Sequence, residues 1–129
     1  MTNLLLDELV SVLEDALGGT VRKGEPRVGD LSGEPPVTSI SFSAVSDTRS
    51  KAVGGSRRVW NWTGVHLAKN EDDLLEAIQD LIDMEADNAH ITVGTDQYEF
   101  ALTSVRRHAN KSATDDEGHG VDFTITTTL

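Results

Sequence analysis

Between Val59 and Met84 the chain reads V-W-N-W-T-G-V-H-L, then A-K-N-E, then D-D-L-L-E-A-I-Q-D-L-I-D-M. This succession limits the possible folds more than any other stretch. The first part is rich in β-branched and aromatic residues and reads as a strand. The last part reads as an amphipathic helix. Asn70 is suited to cap it, and Glu71, Asp72 and Asp73 place negative charge where the helix dipole favours it. Leu74, Ile78, Leu81 and Ile82 recur at three- and four-residue spacing and are expected to share one face. A strand running directly into a helix implies a sheet with a helix packed on it.

The rest of the chain supplies further strands and one more helix. Thr2 or Asn3 is placed to cap a helix ending near Leu17, stopped by Gly18-Gly19, with Leu6, Leu9, Leu13 and Leu17 as its buried stripe. Val21 suits a short edge strand. The Gly- and Pro-rich residues that follow, as far as Pro36, suit an irregular surface crossing. Val37 to Val45 alternates Ile40, Phe42 and Ala44 with Ser39, Ser41 and Ser43, a strand with one apolar and one hydroxyl face. A polar interval of about a dozen residues then precedes the Val59 strand, and is expected to project as an arm between two antiparallel strands. His90 to Val93 and Gln97 to Val105 form a hairpin turned by Gly94-Thr95-Asp96, with Tyr98, Phe100 and Leu102 on one face. After a second polar loop, Arg106 to Gly120, the terminal strand turns Val121, Phe123, Ile125 and Leu129 inward. This order predicts an α+β fold, a mostly antiparallel sheet with two helices packed on one face and long polar loops.

A chain of 129 residues is expected to form a single domain, residues 1–129. It has no cysteine, so neither a disulfide framework nor a thiolate metal site is available. The Leu4-Leu5-Leu6 run is broken by Asp7 and Glu8, which argues against a signal segment and a membrane span. Acidic residues number 22 against 11 basic ones, for a net charge of −11, and Lys23, Lys51, Lys69 and Lys111 are the only lysines. Such a surface stays hydrated in concentrated salt, where repulsion is screened, and reads as a halophile's. It argues against sequence-independent nucleic-acid binding, which needs clustered cations.

Chemical motifs are scarce. None of His66, His90, His108 and His119 lies four residues from another histidine with a glutamate between, so no zinc helix is indicated. His108, Asp115, Asp116 and His119 share a loop and are of metal-ligating types, although solvated loop residues explain them better. G-E-P-R-V-G-D lacks the ending of a phosphate loop, and no serine lies in a G-x-S-x-G elbow. Neither catalytic, cofactor-binding nor metal-binding residues are assigned, and no enzyme activity is expected. The cations are more informative. Lys69 apart, they fall in three segments: Arg22, Lys23 and Arg27; Arg49, Lys51, Arg57 and Arg58; Arg106, Arg107 and Lys111. Basic loops against acidic helices suggest self-complementarity, and head-to-tail contacts of that kind close into rings. Arg49, Lys51, Arg57, Arg58, Arg106 and Arg107 are the expected subunit-interface residues.

The order of elements also resembles that of the tail terminator, or tail-completion, proteins of long-tailed phages and related archaeal viruses. The likeness is carried by the N-terminal helix, G-E-P-R-V-G-D, the strands P-P-V-T-S-I-S-F and R-V-W-N-W-T-G-V-H-L, the helix D-D-L-L-E-A-I-Q-D-L-I-D and the closing D-D-E-G-H-G-V-D-F-T-I-T-T-T-L. It covers most of the chain and is one of topology and length. The resemblance implies a hexameric ring that caps the tail tube, joins it to the head, and resides in the virion after assembly in the host cytoplasm. Its implied partners are further copies of itself, the tail tube protein and a head-completion or neck protein, with DNA passing an acidic or neutral lumen without specific binding. A long, regular hairpin from Ile91 to Val105 would also suit a distal-tail or other tail-ring adaptor. A host α+β binding module and a metal-dependent hydrolase using the His108–His119 loop are the readings from other classes.

Overall fold

The computed structural model describes residues 4–24, 36–49, 56–88, 90–107 and 119–129, with backbone alone at 47–49, 56 and 57. The elements are α1 (Leu4–Leu17), β1 (Val21–Lys23), β2 (Val37–Arg49), β3 (Ser56–Leu67), α2 (Glu71–Asp87), β4 (His90–Val93), β5 (Asp96–Arg107) and β6 (Gly120–Thr128). The strands form one sheet in the order β1-β2-β3-β6-β5-β4. β1 pairs with β2 in parallel and every other pairing is antiparallel. The expected α+β architecture is present.

The sheet is strongly curled. α1 touches both β1 and β4, the two edge strands, as well as α2. Register shifts at Phe42/Ala44 in β2 and at Leu102/Ser104 in β5 supply two of the bends, since an extra residue in one strand kinks it and increases the local twist. In the middle of the sheet Gly64 faces Phe123 across the β3–β6 ladder, and the aromatic ring lies where a Cβ would be.

The start and stop of α2 have local reasons, and the Thr2 or Asn3 cap expected for α1 lies outside the described residues. Asn70 caps α2 as expected, its Oδ1 accepting the Asp73 backbone N–H at 2.8 Å. Asn88 ends it, with backbone N–H and side-chain Nδ2 both donating to the Met84 carbonyl at 3.0 Å. β4 and β5 turn on Gly94-Thr95, where Gly94 has φ +63° and Thr95 does not enter positive φ. A glycine at the first of two turn residues is what the type II′ hairpin turn requires.

The core lies between the curled sheet and the helix pair. α1 contributes Leu5, Leu9, Val10 and Leu13, and α2 contributes Leu74, Ala77, Leu81 and Met84. Ile40, Trp62, Ile91, Phe100, Val121, Phe123 and Ile125 line the sheet side. Several expected positions differ. Leu5 rather than Leu6 is buried in the first turn of α1, and Leu6 and Leu17 are only partly buried. The buried stripe of α2 passes through Ala77 and Met84, leaving Ile82 on the flank, 49% exposed, with Ile78 partly buried. Phe42 is 49% exposed although it shares a face with Ile40, and Ala44 is exposed too. Ser39, expected outside, is buried with Val37 and Val65 on the opposite face. Leu129 lies beyond the last strand residue and is exposed. Thr127 is fully buried in its place, and its Oγ1 accepts a hydrogen bond from Trp62 Nε1 at 3.1 Å. That bond is what allows a hydroxyl to sit in an apolar interior.

Candidate subunit interface

The described part of the expected arm is paired strand, and residues 50–55 lie outside the described residues. Pairing of β2 with β3 continues past the bulge from Ala44↔Asn61 to Arg49↔Ser56, so the strands are longer than Val37–Val45 and Val59–Leu67. β6 pairs with β3 only as far as Val59, followed by one backbone hydrogen bond from Leu129 N–H to the Arg58 carbonyl at 3.0 Å. Among the described residues only β2 and β3 continue beyond that point, as a paired ribbon.

The helix-facing side at the base of the ribbon is apolar. Phe42 pairs with Trp62, and Val45 pairs with Trp60. Trp60 and Trp62 stack with centroids 6.2 Å apart and planes 18° apart. Phe42 sits edge-on to both, at 5.8 Å and 6.1 Å. Trp62 roots this cluster in the core, Trp60 is partly buried, and Phe42 and Val45 reach solvent at 49% and 45% exposure. Edge-to-face and offset-stacked packing fixes the rings relative to one another, so the outer part is a preformed platform.

The six expected interface residues do not form one patch. Arg49 lies at the end of β2, and Arg57 and Arg58 lie in β3 opposite Thr48 and Asp47. Lys51 is outside the described residues, as are Arg27 and Lys111. Arg106 and Arg107 close β5 opposite Asp122 and Val121. Along β6 the two arginine pairs are separated by the strand's length, from Leu129 to Val121, which at ~3.3 Å per residue is about 26 Å. The sheet therefore carries basic residues at both ends. Arg107 is committed within the chain: its Nη2 donates to both Glu71 carboxylate oxygens, the longer contact being 2.8 Å, which ties the end of β5 to the first turn of α2. Lys23 similarly pairs with Asp7 of α1.

Other polar clusters were not singled out by the sequence. His66 of β3 is 4% exposed, and its Nδ1 lies 2.6 Å from Thr38 Oγ1, also buried. Burial pushes the His66 pKa below its ordinary value, partly opposed by the Asp80 carboxylate. This pair lies beneath a groove of about 200 Å³ bordered by Leu17, Lys69, Asp73 and Ala77. A threonine this enclosed cannot meet a substrate, so the pair locks β2 to β3. A second groove, about 360 Å³, runs between α1 and α2 and is bordered by Asp15, Asp80, Asp83 and Asp87. Among the described residues no three histidine or carboxylate side chains are placed to hold a metal. Of His108, Asp115, Asp116 and His119, only His119 lies among the described residues, with Nδ1 3.8 Å from Glu71.

No protein-family model and no curated protein matches this chain. No helix among the described residues is long and apolar enough to cross a membrane.

Proposed function

We propose that this protein is a structural ring subunit of a virus tail, a tail terminator that caps the tail tube and joins it to the head in a haloarchaeal setting. The observation that supports the reading best is the β2–β3 hairpin. It extends beyond the neighbouring strand, exposes a rigid aromatic platform, and carries cations on a chain whose helices are acidic. Half-exposed aromatic and aliphatic side chains held in fixed geometry suit a protein contact, and desolvated aromatic anchors carry most of the energy of such contacts. Copies of the same chain, the tail tube protein and a neck protein are the proposed partners, and no cofactor is needed. The regular β4–β5 hairpin, in which β5 runs twelve residues, equally supports a distal-tail or other ring adaptor.

The test is assembly. Purified protein in molar potassium chloride should show a native mass of a closed oligomer and rings in electron micrographs, and it should bind one end of isolated tail tubes. A strictly monomeric protein that ignores tail tubes would overturn the proposal.

A further inference from the structure

The chain carries two apolar patches on opposite flanks of its helical layer, and we propose that they are mates between successive copies. This inference rests on the ring reading above and names the contact that would build the ring. One cross-strand row shows the geometry. It runs Phe42 in β2, Trp62 in β3, Ile125 in β6 and Leu102 in β5. Trp62 and Ile125 are buried in the core, and the two outer members emerge on either side. On the β2 side lies the platform of Phe42, Val45 and Trp60. On the β5 side a groove of about 300 Å³ runs between α2 and the strand, bordered by Ile82, Glu85, Leu102, Thr103, Ser104 and Val105.

The groove is built by two features. The register shift at Leu102/Ser104 bends β5 beside the groove. Glu85 holds the bend, its Oε2 accepting the Leu102 backbone N–H at 2.5 Å. Above it α2 turns Ile82 and Leu75 outward, 49% and 57% exposed. These two residues are seven apart and so stand on one helical stripe beside the groove. Among the described residues the fold leaves that stripe exposed.

The occupant is a second copy of this chain, and charge argues for it. Residues 49–58 carry Arg49, Lys51, Arg57 and Arg58 and no acid. α2 carries eight acidic residues and no basic one. A hairpin laid along α2 of the next copy sets positive against negative while Phe42 and Val45 enter the groove. Two α2 flanks, or two hairpins, would set like charges together. The contact is therefore heterologous, with a different patch from each copy, and such contacts propagate into rings when the rotation closes.

Two double variants test this, each altering exposed residues only. Phe42→Asp with Val45→Asp disables the hairpin, and Leu75→Lys with Ile82→Lys disables the groove. Each variant alone should be a folded monomer in molar potassium chloride by sedimentation and circular dichroism. Mixed in equal amounts they should form a 1:1 dimer and nothing larger, because one contact remains between live hairpin and live groove. Independently, Val45→Cys with Ile82→Cys in this cysteine-free chain should give disulfide-linked multimers on oxidation, even if a charged variant fails to fold. A wild-type oligomer that survives in both variants, or gives no disulfide link, overturns the docking while leaving the ring reading in place. A mixture that stays monomeric does the same. A wild-type chain that is monomeric throughout overturns both.

Discussion

Replacing Gly64 with alanine tests how the sheet is held together at its most crowded point. Gly64 pairs with Phe123 across β3 and β6, and Phe123 is 1% exposed. A Cβ at position 64 would overlap the ring, with even the third-nearest ring carbon, Cε1, only 2.8 Å away. The glycine has an ordinary strand conformation, so alanine would otherwise gain about 0.5–1 kcal/mol from backbone entropy. Against that, forcing an extra methyl into a packed core costs about 1–3 kcal/mol, and Phe123 has no open side toward which to slide. The clash should win, leaving a net loss of about 1–2 kcal/mol. For a chain of this size each kcal/mol moves the melting temperature by roughly 3–5 °C. Gly64→Ala should therefore melt about 3–10 °C lower by circular dichroism in molar salt. In a Phe123→Leu background, which removes the ring, the same substitution should be neutral or stabilising, a sign reversal that only direct contact produces. A melting temperature at or above wild type, or an equal loss in both backgrounds, would refute the reasoning.

Two further outcomes follow from charge. His66 has its folded pKa below 6.5 through burial, so the unfolded chain binds more protons as acid is added. The associated stability is fully present above 6.5 and is lost as pH falls through the lowered value, and His66→Gln should flatten that step in a pH series of melting temperatures. With a net charge of −11, the fold should melt at a markedly lower temperature at ~0.1 M salt than at several molar, because screening of the carboxylates is lost; equal melting temperatures would remove the halophilic reading.

What the sequence could convey depended on whether a signal was local. The α2 cap at Asn70 and the alternation of Val121, Phe123 and Ile125 are properties of adjacent residues, and both were legible. The extension of β2 and β3 was not, because S-D-T-R and S-R-R carry no apolar alternation to mark a strand. Phe42 was misplaced because the bulge beside it and the reach of the helical cover both depend on neighbouring elements. Thr127 falls on the inward face by that alternation, and what the sequence does not show is that Trp62 satisfies its hydroxyl there. The arginines expected at an interface fall in separate segments of the chain. Whether those segments meet is decided by β6, which enters between β3 and β5 and leaves the two pairs at opposite ends.

That separation changes how an interface of this protein has to work. Exposed ion pairs contribute ~0–1 kcal/mol in dilute buffer, and at ~1 M salt the screening length falls to about 3 Å. In the medium that the charge of −11 suits, arginines facing acidic helices therefore supply little affinity. Apolar contact keeps its strength there, and each fully buried large side chain is worth about 1.5–3 kcal/mol. Under the proposed docking, Phe42 and Val45 against Leu75 and Ile82 must carry the association, while the cations choose which faces meet. Charge reversal at Arg57 and Arg58 should then weaken assembly in moderate salt and progressively less as salt rises. Loss of Phe42 and Val45 should abolish it at every salt concentration.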